Sequence, residues 1–133
     1  METFTLEQIG SGVDMMGCIW VTLGFSSALQ SNDVLHLVCP EEVSPEERRQ
    51  RQGLDGLYVE RFDQSLGCYH GVDRVTVKGR CIDVEFNAQG AKQLQFAGPV
   101  TFIAPEGLSG FDQAVETFRA IARCEDGSVV EVA

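Results

Sequence analysis

The chain has 133 residues, 44% of them hydrophobic and 23% charged, and its 20 acidic against 10 basic residues leave a formal net charge of −10. That length and mix fit one globular domain spanning residues 1–133 and lie far from the composition of disordered or fibrous chains. The surplus negative charge repels phosphate backbones, so direct nucleic-acid binding is not expected. No stretch approaches the roughly 20 apolar residues of a membrane span.

The opening Met1-Glu2-Thr3-Phe4-Thr5-Leu6-Glu7 lacks the basic start and apolar run of a secretory signal, which makes the cytoplasm the expected address. Phe4-Thr5-Leu6-Glu7-Gln8-Ile9 predicts a strand ended by Gly10-Ser11-Gly12. Cys18 to Phe25 is rich in β-formers and sets Ile19, Val21, Leu23 and Phe25 on one face. Val34 to Cys39 is apolar on both faces, the pattern of a strand covered on both sides. Ser44-Pro45-Glu46-Glu47 carries a helix-start signal, serine as cap with Glu47 completing a capping box, but the following Arg48 to Gln52 has no apolar face. A short exposed helix or loop ending at Gly53 is expected there.

Leu57 to Phe62 reads as a strand. After a corner at Gly67 to Gly71, Val72 to Val77 and Arg80 to Phe86 form the clearest hairpin, linked by Lys78-Gly79. Along its second strand Ile82, Val84 and Phe86 point one way and Cys81, Asp83 and Glu85 the other, which predicts one buried and one wet face. Asn87 is placed to cap a short helix through Ala91, Lys92 and Leu94, and Pro99 to Ile103 predicts a further strand. The best helix follows, with Ser109 as cap, Asp112 in the first turn, and Phe111, Val115, Phe118 and Ala122 as its apolar stripe. After an Asp126-Gly127 turn, Val129 to Val132 adds a short strand. Strands and helices that do not alternate point to an α+β fold: a mostly antiparallel β-sheet with one main packed helix and short accessory helices.

The five cysteines (Cys18, Cys39, Cys68, Cys81, Cys124) are odd in number and show no CxxC spacing, as expected of reduced thiols in a cytosolic protein. Cys68 and His70 are close enough for a cysteine-dependent enzyme, although no neighbouring sequence supplies an oriented base or an oxyanion donor. His36, between apolar neighbours, reads as a satisfied core or edge histidine. No metal or cofactor signature stands out, so none is expected. Asp83 and Glu85 lie on a wet strand face and read as acidic surface rather than a catalytic pair. A non-catalytic oligomeric scaffold is a further alternative, and the residues fix no oligomeric state.

Recognition of another protein is the reading that remains. Tyr58, Glu60, Arg61, Asp63, Gln64, Tyr69, His70 and Asp73 cluster around a glycine-punctuated corner, the residue types that interfaces favour. The two tyrosines either dock a partner or cover the sheet edge. The acidity serves either solubility or attraction to a basic partner.

The run Gly56-Leu57-Tyr58-Val59-Glu60, then Asp63-Gln64, Gly67, Tyr69 and Gly71-Val72, leading into Val75 and Val77 and on to Ala91 and Leu94, resembles the immunity protein family numbered ten among bacterial polymorphic toxin systems. The resemblance spans about Asp55 to Leu94. It implies a small cytoplasmic protein, encoded beside a toxin, that holds the toxin inactive by binding it. It carries over Glu60, Asp63, Gln64 and Tyr69, and together with Tyr58 and Asp73 of the same corner these are the expected toxin-binding or corner-shaping residues. The expected partner is a cognate toxin with a basic surface, such as a nuclease.

Overall fold

The computed structural model describes residues 2–39, 57–62, 66–124 and 129–133. Its strands are β1 (Glu2–Thr5), β2 (Gln8–Val13), β3 (Ile19–Phe25), β4 (Asp33–Cys39), β5 (Tyr58–Arg61), β6 (Gly67–Tyr69), β7 (Val72–Lys78), β8 (Cys81–Phe86), β9 (Val100–Ile103) and β10 (Val130–Val132). The described helices are α1 (Ala88–Leu94) and α2 (Phe111–Cys124). The expected α+β class holds, with the strands divided between two five-stranded sheets. A meander sheet runs β2-β3-β4-β5-β6, every pair antiparallel. A hairpin sheet runs β1-β9-β8-β7-β10, antiparallel at its centre and parallel at both edges.

The inner faces of the two sheets meet. Phe25 of the meander sheet lies 4.8 Å from Phe4 and 5.0 Å from Phe102 of the hairpin sheet, ring centre to ring centre. Val21, Leu23, Leu35, Leu37 and Val59 from one side and Val75, Val77, Ile82, Val84 and Val100 from the other complete this core. Helix α2 packs along β10 of one sheet and β2 and β3 of the other, bridging them. Its buried stripe is Phe111, Ala114, Phe118 and Ile121, with Val115 and Ala122 beside it, so the true centre is turned slightly from the expected one. Gly110, not Ser109, immediately precedes α2. Its φ is +90°, and a Cβ there would stand 2.9 Å from the Ile9 carbonyl oxygen, so the close approach requires glycine.

Several expectations change in register. The Phe4 to Ile9 run is two strands in different sheets, because buried Leu6 is the crossing point: its N–H bonds the Ile103 carbonyl while that of Glu7 bonds the Gly24 carbonyl. Gly10-Ser11-Gly12 continues β2 instead of ending it. The hairpin turn is Gly79-Arg80, since Lys78 pairs with Cys81, and Gly79 takes φ +59°. The wet and buried faces of β8 fall as predicted. Asn87 caps α1, its Oδ1 accepting from the Gly90 N–H at 2.7 Å. Central β4 is fully buried only on its inner side; Val34, His36 and Val38 on the other side are half-buried. The expected helix at Ser44 to Gln52 and the Asp126-Gly127 turn lie outside the described residues.

Candidate functional site

The antiparallel register of the meander sheet stacks its outward side chains into rows across the strands. One row reads Gly10, Thr22, His36, Glu60, Gly67, and the next reads Gly12, Trp20, Val38, Tyr58, Tyr69. Polar groups thus run beside aromatic ones, with a glycine ending both rows at β2. These glycines have a packing reason. A Cβ at Gly12 would lie 3.3 Å from the Trp20 ring and one at Gly10 3.5 Å, so the indole lies across bare backbone. At the other end Tyr58 leans over Gly67, where an added Cβ would meet its hydroxyl at 2.0 Å. Trp20, Thr22, Val38, His36, Tyr58 and Glu60 are half-buried, and Tyr69 is 37% exposed.

The groups interact along the face. Tyr58 and Tyr69 sit 4.8 Å apart, tilted by 51°. The Tyr58 hydroxyl donates to Glu60 Oε1 at 3.0 Å. Burial first, then this bond and the Glu60 charge, push the phenol up to about 12. Thr22 Oγ1 lies 2.5 Å from His36 Nδ1, and Trp20 stands 6.1 Å from the His36 ring. Burial lowers the His36 pKa, against the opposing pull of Glu60. His36 is therefore satisfied, as expected, though on the outer face of a central strand rather than in the core or at an edge.

Strand parity sends the remaining candidates elsewhere. Arg61, adjacent to Glu60, points inward and is 3% exposed. Its Nε and Nη2 donate to Asp33 Oδ2 at 3.0 and 2.7 Å, and its Nη1 donates to the carbonyls of Leu94 and Gln95 at 3.1 and 2.8 Å. Nη2 also reaches Ser27 Oγ at 3.4 Å, and the guanidinium lies 3.9 Å over the Phe96 ring. Every donor is used, so Arg61 is a core pin tying β5 to β4 and to the end of α1. Beside it, Leu29, Phe62 and Leu66 rim a cavity of about 240 Å³. Phe62 there has φ +68°, an uncommon backbone for a bulky residue. Asp73 is exposed at the β7 bulge of the hairpin sheet, away from the aromatic face. Asp63 and Gln64 fall outside the described residues.

Cys68 faces inward opposite Val59, is buried, and donates to the Tyr69 carbonyl at 3.4 Å. Burial raises its pKa, the reverse of what an activated thiolate needs. His70 leaves the strand at φ +57°, its carbonyl accepting from Asn87 Nδ2 at 2.5 Å. Among the described residues no group of His, Cys, Asp and Glu is arranged to hold a metal ion, and no described helix is long and apolar enough to cross a membrane.

Tyr58, Glu60 and Tyr69 are thus brought together on one face. Sequence reasoning missed Trp20, Thr22, His36 and Val38 as their neighbours, because only the pairing register makes them so. The alternation of outward Trp20 and Thr22 with inward Val21 and Leu23 was the available signal.

No curated protein and no solved structure matches the chain. The sequence pattern of the family described as Immunity protein 10 matches residues 5–107, which takes in β2 to β9 and every residue of the aromatic face. The chain belongs to the Immunity protein 10 family.

Proposed function

We propose that the protein is an inhibitor that binds a cognate toxin in a fixed stoichiometry, without catalysis, and that the outer face of the meander sheet is where it docks. Family membership gives the immunity role; the docking face rests on Trp20, Tyr58 and Tyr69 standing together on one sheet surface that leaves all three partly open to solvent. Interfaces concentrate tryptophan and tyrosine at their centres, since these supply much contact area with few torsions to freeze. Glu60 belongs to that face, Asp63 and Gln64 come soon after it in the sequence, and Asp73 serves the corner from the other sheet.

The net charge of −10 favours a toxin with a basic surface and speeds the encounter at low salt. Binding in the cytoplasm of the producing cell keeps the toxin inactive there. Calorimetry with the toxin domain encoded beside this gene tests the reading. The expected result is a one-to-one complex of nanomolar or tighter affinity whose association slows as salt rises. No complex at micromolar concentrations overturns it.

A further inference from the structure

We infer that the meander face receives a cationic side chain of the bound protein, a guanidinium or ammonium whose charge settles on the Glu60 carboxylate between the Tyr58–Tyr69 pair and the Trp20–His36 pair. The inference deepens the toxin-binding reading and rests on it.

Glu60 is half-buried at the centre of the face, and its hydrogen-bond partner there is a neutral hydroxyl, that of Tyr58 on Oε1. Among the described residues no lysine or arginine forms an ion pair with it; the ion pairs are Arg61 with Asp33, Arg74 with Glu131 and Arg119 with Glu116. The arginine next along the chain is unavailable, because Arg61 points inward with its donors taken by Asp33, Ser27, Leu94 and Gln95. His36 is the cross-strand neighbour, and burial favours its neutral form, so it does not supply the missing charge. A carboxylate drawn partly out of water without a counter-charge is costly alone and gains most from an incoming cation.

The surroundings suit such a cation. Trp20, Tyr58 and Tyr69 offer ring surfaces in the adjacent row, and a guanidinium or ammonium within about 6 Å of an aromatic ring is attracted to its face. Tyr58 keeps its proton far above neutral pH, so its hydroxyl remains a donor and adds no negative charge. A planar guanidinium can bond the open carboxylate oxygen while stacking on a ring.

The test is titration calorimetry of wild type, Glu60→Gln, Glu60→Asp and Glu85→Gln against the toxin domain encoded beside the gene, at low and moderate salt. Glu85 is an exposed carboxylate on the outer face of the hairpin sheet and serves as the matched control. Thermal melts verify that each variant is folded. Glu60→Gln should weaken binding about 30-fold or more and flatten its salt dependence. Glu60→Asp should retain part of the affinity, and Glu85→Gln should match wild type. If wild type binds and Glu60→Gln binds equally well, the cation site falls while the toxin reading stands. Equal losses for Glu60→Asp and Glu60→Gln with unchanged salt dependence would show that shape, not charge, is read. If wild type does not bind, the toxin reading itself fails.

Discussion

The two sheets turn very different outer faces to solvent. On the hairpin sheet the outward residues are mostly threonines and charges, with Cys81 and Ile103 among them, and several satisfy one another: Thr101 donates to Asp83 at 2.5 Å, and Arg74 stands 3.8 Å from Glu131. On the meander sheet they include Trp20, Thr22, His36, Val38, Tyr58, Glu60 and Tyr69, and among the described residues no lysine or arginine pairs with Glu60. The first is the ordinary alternation of a half-wet antiparallel sheet. The second leaves large rings partly open to solvent beside a carboxylate held by a neutral hydroxyl, the composition on which the proposed docking face rests. The contrast lies in composition, not in burial: Ile103 on the first face is 39% exposed and Tyr69 on the second 37%.

The strongest way to break the contrast is to remove what holds the aromatic face in place. Arg61→Ala leaves Asp33 charged and buried without its partner and frees two carbonyls at the end of α1. It should cost about 3–5 kcal/mol of stability in denaturant unfolding. Hydrogen exchange should show β5 and β6 opening before β7 and β8. A loss under about 1 kcal/mol would mean that the pair contributes little to the native state.

A smaller effect sharpens the contrast directly. Tyr69→Ala should weaken toxin binding by about 2 kcal/mol, whereas Ile103→Ala, equally exposed on the other sheet, should stay within about 0.5 kcal/mol of wild type. Equal losses from both, read by calorimetry, would erase the distinction between the faces.

The smallest effect is a titration. The protein has two tyrosines, so in a Tyr69→Phe variant the phenolate absorbance reports Tyr58 alone. Its midpoint should lie near 12 rather than 10.0. Because the folded state holds that proton more tightly than the unfolded state, Tyr58 contributes stability in full below pH 10 and loses it as pH rises through about 12. A midpoint near 10 would show that burial and Glu60 do not constrain the hydroxyl.

How much of this was legible in the sequence depends on how local each signal was. The β7–β8 hairpin could be read because Ile82, Val84 and Phe86 alternate cleanly and Gly79 supplies the turn. Helix α2 could be read from its apolar period, and the motif from Gly56 to Leu94 pointed to the family that the longer match then showed. Gly10 and Gly12 misled, since glycine can either end a strand or clear space for a neighbour, and the Trp20 ring that fills the space comes from the paired strand. Arg61 was placed with the surface cluster although its parity with Val59 sends it inward. Its partner Asp33 lies 28 residues earlier, beyond any local pattern. The aromatic face was half legible: Tyr58, Glu60 and Tyr69 were singled out, while Trp20 and His36 joined them only through register.

The Asp33–Arg61 pair also acts as a frame marker for the meander sheet. A slip of β5 by one residue would bury Tyr58 and Glu60, turn Arg61 to solvent and strand Asp33, so only one alignment is tolerable. With alignment fixed from within, the outward positions of β3 to β6 are free to vary without disturbing what aligns them. If the proposed docking face is correct, the scaffold can be re-addressed to a different opponent by changing side chains on one surface while its interior stays the same.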